Sequence, residues 1–223
     1  MQRLSITEAW SIFRVNYLLA VRTNMLLAAV YLLAIPLLRG IANLDMVHSA
    51  ECLEQSVTLI GIFLIVPLNV PEQAKAIQEV VYTRNISHWK ILLLRFVMAM
   101  LVVTIAAWVY SVSIMMICLF SGMMLWKNCT FPFAAYVAGT AISAMALGSL
   151  GLAVSIWSNS VIAGYLASVA YFLLNFLGNI SDGSVFYLFS MEKENYMTKR
   201  YLLGWSLFLI VVSFGYTRKK KFC

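Results

Sequence analysis

Charge is scarce in this sequence. Of 223 residues, 16 are Lys or Arg and 9 are Asp or Glu, so only 11% are charged, against roughly 25% in ordinary globular proteins. With 62% hydrophobic residues and a mean hydropathy of +0.87, a water-soluble fold of this size has no means of hiding its apolar surface. Lipid must serve as much of the solvent. Histidine is almost missing: His48 and His88 fall on opposite sides of the predicted topology, which excludes a metal site between them. The four cysteines, Cys52, Cys118, Cys129 and Cys223, form no CxxC pair. Cys52 and Cys129 fall on the predicted outer side, where a disulfide is allowed but not required. No zinc-finger spacing or aromatic-basic interleaving accompanies the net charge of +7, so nucleic acid is not an expected partner. There is no GxxxxGK[ST] loop, Ser-His-Asp or Cys-His arrangement, or paired catalytic carboxylate, and no catalytic residue is assigned.

What is present is a series of apolar runs. The stretch from 5 to 20, "SITEAWSIFRVNYLLA", repeats Ile6, Trp10, Phe13 and Tyr17 at spacings of three and four. That predicts an amphipathic helix lying along the membrane surface. Six spans are expected after it. The first, at about 24 to 38, lacks a convincing cleavage site and is read as retained. The second ends at Val70, with Pro67 bending or ending it. The third lies within Ile91 to Leu125, which is too long for one crossing, so it projects beyond the bilayer or bends near Ser121-Gly122. The fourth, at about 133 to 156, is rich in small residues that allow close helix approach. The uncharged "WSNS" at 157 to 160 joins it to a fifth span at 161 to 177, and the sixth starts near Tyr201. The fold class is therefore an all-α integral membrane protein with a single transmembrane domain over 1–223.

Even crossings put both termini on one side. With the termini inside, eleven of the sixteen basic residues lie inside, including Arg218, Lys219, Lys220 and Lys221. The positive-inside bias makes that side cytoplasmic, in a multi-pass cell-membrane protein. The segment 71–90 is then a cytoplasmic loop, and 178–200 an outer segment.

This order of elements, together with "EQAKAIQEVVYTRNISHWKILLLRFV" from Glu72 to Val97, resembles the type-2 ABC (ABC-2) transporter permeases. Acidic Glu72 and Glu79 stand at a candidate short helix, and "YTRNIS" takes the place of a small-polar phrase. Lys90 or Arg95 then supplies an early base in the third span. Asn85 stands where members of that family often have proline. The resemblance implies a coupling helix docking on a separate ATPase subunit through Glu72, Lys75, Ile77, Glu79, Val81, Tyr82 and Arg84. It implies ATP and Mg in that partner, no cofactor in this chain, pairing with a second copy or a similar permease, and a short helix on the outer surface at "YLFSMEKENY" between spans five and six. The expected function is the transmembrane subunit of an ATP-driven exporter for a peptide, drug or lipid-like cargo. The alternative is a non-transporting membrane scaffold or immunity component.

The residues themselves leave several readings open. Glu54, Asn175 and Asn179 are candidates for a translocation path. The competing reading puts Glu54 at headgroup level, because charge deep in lipid is costly, and makes the asparagines ordinary caps. Arg95 either snorkels toward lipid phosphates or joins the inner salt-bridge network that the resemblance implies.

Overall fold

In a computed structural model the described residues are 22–39, 52–70, 88–120, 133–181, 183–191 and 195–219, with Arg14 and Tyr17 before them. Their regular structure is entirely helical. In chain order the helices are α1 (Arg22–Arg39), α2 (Leu53–Asn69), α3 (His88–Phe120), α4 (Phe133–Ser158), α5 (Val161–Phe176) and α6 (Tyr196–Lys219). By length and composition three of them can cross a membrane: α3 over Trp89–Ser113, α4 over Phe133–Ser158 and α6 over Tyr196–Thr217. The apolar parts of α1, α2 and α5 are shorter. Most of the surface helix expected at 5–20, and all of the coupling residues from Glu72 to Arg84, lie outside the described residues.

The bundle forms around α4, which is buried along most of its length and packs against α2, α3, α5 and α6. Its small residues make this possible. A Cβ on Gly61 of α2 would collide with the Ala144 carbonyl, and one on Gly148 would come within 2.5 Å of Ile65 Cδ1. Both contacts advance in the same direction along the two chains, so α2 and α4 run parallel. On the other flank, a Cβ on Gly164 of α5 would lie 2.5 Å from the Gly151 carbonyl oxygen, and Ser168 Oγ donates to the Leu147 carbonyl at 2.9 Å. Those contacts run in opposite senses, making α4 and α5 antiparallel. Backbones this close gain dispersion contacts that no lipid chain can replace.

Apolar residues also face outward. On α3, Leu92, Phe96, Ala99, Val103 and Ala107 turn to the bundle, while Val97, Leu101, Ile105 and Trp108 are exposed. The exposed Leu26, Val30 and Leu33 of α1 and Leu207, Phe208 and Val211 of α6 repeat this pattern. A helix that is apolar on both faces suits a lipid surround.

Local chemistry sets several boundaries. The α4–α5 turn places Asn159 at φ 53°, a left-handed conformation that asparagine tolerates better than most residues. Ser160 then caps α5, its Oγ accepting from the Ala163 N–H at 3.4 Å. Around Pro67, α2 tightens into a 3₁₀ turn over Val66–Asn69, because proline has no N–H for the α-helical ladder. The third helix continues unbroken through Phe120 over 33 residues, so any bend near Ser121-Gly122 falls outside the described residues. The sixth begins at Tyr196, earlier than the expected Tyr201, because Asn195 Oδ1 accepts from the Thr198 N–H at 3.3 Å and caps it there. That shift brings Lys199 and Arg200 into the helix.

Candidate functional site

The segment from Tyr187 to Met191 is the main departure from sequence expectation. It is neither helical nor on the surface: all five residues, Tyr187, Leu188, Phe189, Ser190 and Met191, are buried. The expected surface helix at "YLFSMEKENY" is thus corrected over its first half. Three of the five side chains are large apolar groups that gain more from the interior than from water. Phe189 meets the Phe172 ring edge-on at 5.7 Å, and the Met191 side chain lies against Gly139, where any Cβ would collide with it.

Irregular backbone inside a bundle needs its polar groups satisfied. Side chains from four helices do this. Asn175 of α5 accepts from the Leu188 N–H at 2.9 Å. The Leu188 carbonyl accepts from Ser143 Oγ of α4 at 2.9 Å and also from Lys199 Nζ of α6. Glu54 of α2 accepts from the Met191 N–H through Oε2 at 3.0 Å, while its Oε1 lies 2.5 Å from Lys199 Nζ. Tyr171 of α5 donates to the Phe186 carbonyl at 2.6 Å. The segment is therefore a strap, held by a carboxylate, an ammonium, a hydroxyl and an amide.

Glu54 is 0% exposed and Lys199 3%. Glu54 therefore faces the packed interior of the bundle, away from solvent and lipid. Its charge is tolerated because the opposite charge and a backbone donor meet it directly. Asn175 is buried at the strap and Asn179 is exposed, so the three path candidates do not converge on one site. Two are brought together on the strap and the third is not. Cys52 is a buried free thiol with Sγ 3.9 Å from Tyr110 Oη, and Cys129 lies outside the described residues. Among the described residues no group of three or more His, Cys, Asp or Glu is placed to hold a metal ion.

A second polar contact stands at the other end of α2. Arg95 of α3 is 3% exposed and donates from Nη1 to the Leu68 carbonyl at 3.1 Å. Burial at this level excludes the snorkelling arrangement. The freed carbonyls of the 3₁₀ turn explain its acceptor, since tightening around Pro67 leaves the last turn of α2 with unmatched oxygens.

Sequence reading missed Lys199 and Ser143. The one local signal for Lys199 was Asn195, a good cap four residues before it. Ser143 carried no signal among the other small residues of α4. No family model, curated protein or solved structure matches this chain.

Proposed function

We propose that this chain is the transmembrane subunit of an ATP-driven ABC exporter, with six crossings, cytoplasmic termini and a separate ATPase that docks on the 71–90 loop. The resemblance over Glu72 to Val97 motivates the reading, and the Arg95–Leu68 bond is the observation that carries it. The loop leaves α2 immediately after Val70 and enters α3 at His88. At its base, a buried guanidinium ties the last turn of α2 to the second turn of α3. A loop with joined feet moves both helices when it is pushed. α2 in turn packs against α4 through Gly61 and Gly148, so displacement reaches the centre of the bundle. ATP and Mg belong to the partner, and two such chains, alike or merely similar, would enclose the path for a peptide, drug or lipid-like cargo.

Affinity purification of the full-length chain from its native membranes tests this. A P-loop ATPase should co-purify in stoichiometric amount, and Ile77→Ala or Glu79→Ala should weaken its retention. A stable chain that brings down no ATPase would sink the proposal and favour a non-transporting scaffold.

A further inference from the structure

We infer that residues 187–191 form a releasable strap, and that the Glu54–Lys199 pair is the latch that holds it in the bundle. Three observations point to release rather than permanent closure.

The latch is made of charge. Both members are buried, and an apolar pair of similar volume is commonly as stable as such an ion pair or more so. Its particular property is conditional strength: it holds firmly while dry and weakly once water enters. Second, buried hydroxyls near it lack partners. Ser190 Oγ of the strap, Thr140 Oγ1 of α4 and Thr58 Oγ1 of α2 have no hydrogen-bond partner among the described residues. Thr58 is one turn on from Glu54, and the parallel register set by Gly61–Ala144 and Ile65–Gly148 brings it level with Thr140. Each such hydroxyl favours a hydrated state over this one.

Third, there is space beside the strap. An open groove of about 260 Å³ is lined by Met191 and Lys199 together with Gly139, Ile142 and the exposed Tyr196 and Arg200. When the latch parts, Glu54, Lys199 and three hydroxyls become one polar chamber between α2, α4 and α6. The export reading gives this a use in passing polar cargo groups, but the latch itself does not depend on that reading.

The test uses the full chain in lipid nanodiscs, with Cys52, Cys118, Cys129 and Cys223 replaced by serine. A single reporter, Ser190→Cys, is challenged with a small water-soluble maleimide. A control reporter, Ser155→Cys, sits in a buried part of α4 far along the helix from the latch, and its own hydroxyl also lacks a partner among the described residues, so it controls for that feature. With the latch intact both reporters should be protected. Glu54→Gln and Lys199→Met should each raise the labelling rate at Ser190→Cys by about tenfold or more, corresponding to roughly 1.4 kcal/mol, while Ser155→Cys stays protected. Continued protection of Ser190→Cys in both latch variants overturns the inference. Equal gains at both reporters also overturn it, since the whole bundle would then be loosening. No ATPase is needed, so failure of the latch and failure of the transport proposal are read separately.

Discussion

Lys199 Nζ lies 2.5 Å from Glu54 Oε1, and the two side chains hold opposite ends of one short buried segment: Glu54 takes the Met191 N–H and Lys199 gives to the Leu188 carbonyl. The ion pair therefore joins α2 to α6 and fixes the connection between α5 and α6 at the same time. Removal of one partner should harm the protein more than removal of both.

Lys199→Met removes the Nζ charge that faces the buried Glu54 carboxylate and should cost about 3 kcal/mol, toward the low end for broken buried pairs, because strap release lets water reach the site. The double variant Glu54→Leu, Lys199→Met should be closer to wild type than Lys199→Met alone. Thermal midpoints in matched detergent measure this. A double variant less stable than either single one would show that the backbone bonds to the strap outweigh the charge pairing.

Asn175→Leu removes the acceptor for the Leu188 N–H and leaves that donor buried. The expected loss is about 1–3 kcal/mol. Hydrogen exchange should show faster exchange at Leu188 and its neighbours, with α4 amides unaffected. No change at the strap would mean that another group satisfies it.

Gly61→Val places side-chain atoms where the Ala144 carbonyl already lies. Separation of α2 from α4 should follow, at a cost of about 3 kcal/mol or more, since overpacking without space to relax is among the larger single-residue effects. Gly204→Ala on α6 meets nothing within 4 Å and should be tolerated. Size-exclusion profiles of fluorescent fusions distinguish the two outcomes, and equal behaviour would contradict the close approach of α2 and α4.

Arg95→Met should uncouple the feet of the 71–90 loop while leaving the loop itself intact. Under the export proposal, the ATPase is still retained but ATP-driven transport falls by about tenfold or more, the equivalent of one charge-assisted bond. Retention and transport falling together would place Arg95 in docking instead.

Much of the bundle was legible along the chain. The apolar runs located α1 through α5 to within a few residues, because lipid demands length and apolarity that few other segments show. The small-residue run "AGTAISAMALGSLGLAVS" announced the central helix, and "WSNS" announced a turn that Asn159 and Ser160 then form. The strap was not legible. "YLFSM" carries no local signal for burial, and the surface helix expected there came from the family resemblance. Its burial depends on Asn175, Ser143, Glu54 and Lys199, all distant from it in sequence except the last.

The sequence by itself determined that this chain is helical, with segments long and apolar enough to cross a membrane, since both follow from composition and from periodicity within a single segment. Only the tertiary structure decided where its rare charges reside. A lone Glu54 or Arg95 in an apolar run is costly in any position considered alone, and the surface is then the least costly place for it. Lys199 and the Met191 N–H remove that cost for Glu54, and the Leu68 carbonyl lowers it for Arg95, because at contact distance in a dry interior a matched partner offsets the lost hydration. Those partners come together only when the helices pack.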